Sequence, residues 1–316
     1  MAQLVKLSDY VSRYEIDVYR YPSRYVRLKK ERWERLKQDW EAERKGYEHL
    51  PTWNIYENNE ESLLQRSWNK LLRKKHTETK EEMSLPSKNQ LSVQSIEQLK
   101  QAYRDELFQF QMNWASSTVS EISQVKRSYY YDSLLNFLVK QLPDTCFIFY
   151  NPVFMLKQAQ VDLDVIILTP TEIRMIKPLF GNSRTIFQAE TDRFWIRNHN
   201  EKKERFIHPY ISLNRMRTVL QGLLEEMNVT LPMKHVVLAK DSFIDVSSTN
   251  KRVQLIDKRN FQQFRQTLLK NQTPIKNQQL KIADKFLSHS LTISENRVEG
   301  NRDRFDENSH ITIEKD

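Results

Sequence analysis

From about residue 128 the apolar pattern switches between the period of a helix and that of strands, and the order of the switches limits the folds available. Tyr131, Leu134, Leu135, Leu138, Val139 and Leu142 share one helical face, which Pro143-Asp144 ends. Three strand-like runs follow, Cys146–Tyr150, Val161–Leu168 and Ile173–Leu179, and Thr185–Phe187 with Arg193–Ile196 predicts a hairpin. Residues Ile211–Met227 return to helical spacing through Met216, Val219, Leu220, Leu223, Leu224 and Met227. His235–Ala239 and Val253–Ile256 read as further strands and Phe261–Leu269 as a closing helix. Helix, three strands, helix, strand predicts an α/β domain with a mixed central sheet flanked by helices. Glycine narrows the choice further. Only Gly46, Gly181, Gly222 and Gly300 occur, too far apart for a dinucleotide fingerprint or a phosphate-cradling loop.

Ahead of this domain the chain reads as helical. Ser8-Asp9 opens an amphipathic stretch that Pro22 interrupts, and Val26, Trp33, Leu36 and Trp40 form a packing stripe within Ser23–Arg44. A further helix is predicted over Glu60–Lys75, and a polar linker with Pro86 over His76–Asn89. Ile96, Leu99, Tyr103, Leu107, Phe110 and Trp114 then mark a long helix. The expected organisation is therefore a helical region over 1–88, a connecting helix within 89–127, the α/β domain over 128–272 and a polar, flexible tail over 273–316.

Cys146 is the single cysteine, which excludes an intramolecular disulfide and thiolate-built zinc or iron–sulfur sites. The start, MAQLVKLSDYVSRYE, lacks a secretory apolar core, and the longest apolar stretch, Cys146–Leu156, is far short of a membrane span. A cytoplasmic protein without membrane contact is expected. Fifty Lys+Arg against 41 Asp+Glu give a net charge of +9, which permits nucleic-acid binding. Arginines and tyrosines interleave from Tyr10 to Arg27, so Arg24 and Arg27 are candidates for phosphate contact. The competing expectation buries the tyrosine rings under arginine stems in ordinary helix packing.

The run Asp132-Ser-Leu-Leu-Asn-Phe-Leu-Val-Lys-Gln-Leu-Pro143 and the run Asp164-Val-Ile-Ile-Leu-Thr-Pro170 carry a resemblance, with Gly181, Trp195 and His208-Pro209 following in order. Residues 128–270 resemble the nuclease-related domain family, NERD, which is grouped with the PD-(D/E)xK nuclease-like folds. The resemblance implies a phosphodiester hydrolase in which carboxylates on adjacent strands hold Mg²⁺ and a lysine stabilises developing charge. Asp164 stands where that set needs its aspartate, and Asp132 where members carry an acidic residue early in the helix. Aligned through Thr169-Pro170, however, the glutamate position falls on Lys177 and the lysine position on Leu179. A shift of two makes Lys177 the lysine but leaves Met175 for the glutamate. Neither register yields a carboxylate-x-lysine. Asp162, two residues before Asp164, is a candidate extra metal ligand, with Glu172, Glu190 and Asp192 as relocated carboxylates.

Other chemistry is sparse. No HExxH or GxSxG occurs; His208 reads as a loop histidine and Cys146 as an inert core thiol. Three readings stay open. The first is a nuclease-related protein whose metal site has decayed and which serves as a nucleic-acid-associated or scaffold module, without a cofactor. The second is an active Mg²⁺-dependent nuclease using Asp132, Asp162 and Asp164 with a relocated carboxylate, Lys177 being the candidate lysine. The third is a helical adaptor that meets a protein partner through its N-terminal helices.

Overall fold

The short β-branched and aromatic runs form the middle of a sheet, because their side chains can be buried on both faces. In the computed structural model, which describes residues 1–44, 95–157, 159–200, 202–246, 252–270 and 273–297, strands β3 (Phe147–Tyr150), β6 (Val165–Leu168) and β7 (Ile173–Pro178) make an antiparallel meander. A hairpin of β4 (Val153–Leu156) and β5 (Ala159–Asp162) projects between β3 and β6. Residues Val161–Leu168, expected as one strand, are therefore two. The break falls at Leu163-Asp164, where Leu163 N–H bonds back to Pro152 and Asn151 N–H bonds to the Asp164 carbonyl.

Two parallel strands extend the sheet, β11 (Met233–Ala239) beside β7 and β13 (Val253–Asp257) beside β11. The other edge is β1 (Gln3–Leu7), parallel to β3, so the order is β1-β3-β6-β7-β11-β13. This corrects the helical reading of the first twenty residues. β1 is wholly buried, and only a 3-10 turn at Arg13–Glu15 separates it from helix α1 (Tyr21–Arg44). Pro22 interrupts nothing. It sits at the start of α1, where a missing N–H costs least.

Helix α2 (Ile96–Trp114) follows the undescribed stretch 45–94, within which the expected helix Glu60–Lys75 and the linker His76–Asn89 fall. The strand β2 (Glu121–Ile122), the single turn α3 (Ser128–Tyr131) and helix α4 (Ser133–Gln141) come next. Beyond β7 lies a second sheet of β8 (Thr185–Ala189), β9 (Phe194–His199), β10 (Lys202–Ile207) and β12 (Phe243–Asp245), ordered β10-β9-β8-β12. Gly181 at its entry approaches Thr185 so closely that a Cβ would sit 2.8 Å from the threonine side chain. Helices α5 (Pro209–Glu226) and α6 (Phe261–Leu269) complete the expected series.

The supposed tail contains helix α7 (Asn277–Ser288) and strand β14 (Glu295–Asn296), which pairs with β2. Ile282, Ala283, Phe286 and Leu287 of α7 are buried, and Phe286 meets Phe149 and Phe154 with ring centroids 5.5 and 5.9 Å apart. The flexible-tail expectation is thus corrected for 277–288; residues 298–316 lie outside the described ones.

One continuous core joins β1, β3, β6, β7 and β11 to apolar side chains of α2, α4 and α6. The chain divides into two compact units, Met1–Arg27 with Arg104–Asp316, and Leu28–Tyr103. Within the second, the Tyr103 hydroxyl donates to the Lys29 carbonyl and the rings of Trp33 and Tyr103 lie 5.3 Å apart. No helix among the described residues is long and apolar enough to cross a membrane.

Candidate functional site

The meander sets the residues around Asp164 beside those around Lys177. Val165 pairs with Ile176 and Ile166 with Met175, so one further step along the ladder sets Asp164 opposite Lys177. Lys177 Nζ donates to Asp164 Oδ1 at 2.6 Å. The Ser212 hydroxyl, in the first turns of α5, donates to Asp164 Oδ2. Both side chains of the ion pair are partly shielded, at 16% exposure for Asp164 and 30% for Lys177. Met175, two residues earlier on the same strand face, is fully buried. The structure therefore brings two of the anticipated residues together and adds Ser212, for which the sequence offers no signal beyond its place early in a helix.

Asp132 is engaged elsewhere. It caps α4, with Oδ1 accepting the N–H groups of Leu134 and Leu135 at 2.8 and 3.1 Å, while the Tyr150 hydroxyl donates to Oδ2 at 2.6 Å. Burial, then this carboxylate, push the Tyr150 phenol well above its ordinary range. Tyr150 pairs with Val165, so Asp132 and Asp164 sit at the same end of the sheet in separate hydrogen-bond groups. Asp162 ends β5 opposite Val153 and is exposed.

Two of the three relocated carboxylates are also committed. Glu172 lies at the far end of β7, bonded to Arg174 and, at 2.6 Å, to Lys234. Burial works against its charge, yet Lys234 and Arg174 outweigh that and hold its carboxyl below the usual range. Glu190 pairs with Arg205 at 2.6 Å, and Asp192 is exposed. Among the described residues no group of three or more His, Cys, Asp or Glu is arranged to hold a metal ion. As for Mg²⁺, the donor set does not fit it: an ammonium and a hydroxyl already occupy the two oxygens of Asp164.

His208 caps α5 rather than standing free in a loop. Its Nδ1 accepts the Tyr210 N–H at 3.1 Å, and the ring packs on Trp195 and Tyr210. Burial lowers its pKa, with Asp192 opposing. Cys146 is buried and, by burial, its thiol is pushed up to about 12, as suits an inert core residue. The arginine–tyrosine interleaving mostly resolves into packing. Tyr10, Tyr14 and Tyr25 are buried, as is Arg13, whose guanidinium donates to the Ser117 carbonyl and covers Trp114. Arg24 is half-buried and Arg27 exposed on α1.

Comparison with curated proteins finds a protein of Geobacillus stearothermophilus described as an RNA 2′,3′-cyclic phosphodiesterase, 38% identical over 121 residues. The match covers 35% of this chain and 36% of that protein, so it spans little more than a third of the relative's length. No family model matches the chain, and no solved structure does.

Proposed function

We propose that the chain is a nuclease-related module, NERD-like in its α/β unit, in which a lysine ammonium replaces the metal and which associates with nucleic acid without cleaving it. The observation that carries this reading is the Lys177–Asp164 contact across neighbouring strands, 2.6 Å long. A nuclease of this class needs a second carboxylate at that position to share a divalent ion. The order α4, β3, β6, β7, α5, β11 is compatible with this reading, since it is the α/β series that the apolar spacing predicts for the segment carrying the resemblance. A fixed internal cation neutralises Asp164, and a divalent ion would have to expel it. Association with nucleic acid rests on the +9 charge and on exposed basic side chains such as Arg27.

The test incubates the full chain with labelled duplex DNA, RNA and a 2′,3′-cyclic nucleotide, with Mg²⁺ or Mn²⁺ and with chelator. No divalent-dependent cleavage is expected, alongside salt-sensitive binding to DNA and RNA alike. Charge reversal at Arg24 and Arg27 should flatten the log–log salt slope by about one unit per lost phosphate contact. Chelator-sensitive cleavage abolished by Asp164→Ala would establish the active-nuclease reading instead. Opening of the cyclic phosphate that survives both chelator and Asp164→Ala would favour an activity like that of the Geobacillus stearothermophilus relative. Absence of any association at low salt leaves the adaptor reading.

A further inference from the structure

Away from the Asp164 site, the second half of α5 and strand β11 line a cleft of about 670 Å³. Its rim carries the guanidinium side chains Arg217, from α5, and Arg252, which leads into β13. Its floor is His235 on β11, 9% exposed, whose Nε2 has no hydrogen-bond partner among the described residues. Leu231 and Met233 supply apolar lining, and Glu225 supplies a carboxylate.

That volume falls within the range of small-molecule sites, and the lining mixes apolar side chains with several polar and charged ones. Arginine forks match phosphate oxygens bidentately. A buried imidazole nitrogen without a partner costs free energy unless a ligand or water meets it. A strand that merely closed the sheet would have no use for it: the equivalent positions on the same β11 face, Met233 and Val237, are apolar. The carboxylate is the group that would accept from ligand hydroxyls or an exocyclic amine, and it would repel a second phosphate.

We infer that this cleft is a binding site for a nucleoside monophosphate, with the phosphate on Arg217, Arg252 and His235, the base on Leu231 and Met233, and the sugar hydroxyls toward Glu225. The site is independent of the proposed nuclease-like role and stands whether or not that role survives.

Isothermal titration of the full chain with adenosine monophosphate, adenosine and inorganic phosphate tests it. Saturable one-site binding of the monophosphate is expected, with adenosine and phosphate each at least tenfold weaker. Arg217 and Arg252 are exposed, so the double variant Arg217→Ala/Arg252→Ala should keep its fold by circular dichroism while losing binding by tenfold or more. His235→Ala should lose a smaller factor. Phosphate binding as well as the monophosphate, monophosphate binding undiminished in the double variant, or no saturable binding would each overturn the assignment.

Discussion

At the scale of single residues, Lys177 decides the reading of the site. An antiparallel pair places directly opposed side chains about 4.5–5.5 Å apart at Cβ, so whatever stands opposite Asp164 controls its charge state and its ligands. Lys177→Glu would set two carboxylates face to face. Without divalent ions this variant should be less stable than the parent by about 1–2 kcal/mol, allowing for solvent screening of a partly shielded pair. Millimolar Mn²⁺ should then raise its melting temperature by several degrees and leave the parent unchanged. Equal effects of Mn²⁺ on both proteins would show that the position has no relation to a metal site. The contact itself was half legible: the sequence offered Asp164 and Lys177 as candidates, and only strand pairing shows that they are neighbours. Ser212 was illegible, because a serine early in a helix ordinarily serves the helix.

At the scale of elements, capping and amphipathic spacing explain both the agreement and the misses. His208 illustrates the first. Its Nδ1 can accept the Tyr210 N–H only while that nitrogen carries no proton, so acid removes the cap of α5. Burial, opposed by Asp192, lowers its pKa in the folded state. The unfolded chain therefore takes up the proton first as pH falls, and stability is lost on going down through and below the ordinary imidazole value. His208→Asn keeps an acceptor and has no titration. Thermal melts from pH 7 to 5 should fall less steeply for this variant, by about 0.5–1 kcal/mol at the acid end. Parallel pH profiles would place the acid sensitivity elsewhere.

Helix α7 illustrates the second. Gln279, Ile282, Ala283, Phe286 and Leu287 recur at helical spacing, so its buried face was written in the sequence. Its exposed face is polar enough that composition concealed it. β1 is different, since Gln3 and Lys6 interrupt its apolar run. Lys6 is tolerated at zero exposure because its ammonium donates to the Tyr10 carbonyl, Glu15 and Thr292, partners that no local pattern could disclose.

At the scale of the whole molecule, β1 ties the first residues of the chain to the α/β unit. A fragment beginning at residue 89 lacks β1 and exposes the free edge of β3, whose four residues are fully buried. Such a fragment should be insoluble or molten, as read by near-ultraviolet dichroism and proteolysis, whereas the full chain should not. A soluble, cooperatively melting fragment would show β1 to be dispensable. The expected boundary near Pro86 leaves β1 out of account, because a composition break marks where polarity changes and says nothing of which segment completes a sheet. The same edge strand has a consequence for biosynthesis. Gln3 is synthesised 144 residues before its partner Phe147 and must wait for it, roughly ten seconds at about 5–20 residues per second. The Lys6 ammonium must wait longer still, for Thr292. Until then a strand suited to burial stays in solvent, so this sheet gains its native edge late and β1 is the segment most in need of chaperone protection.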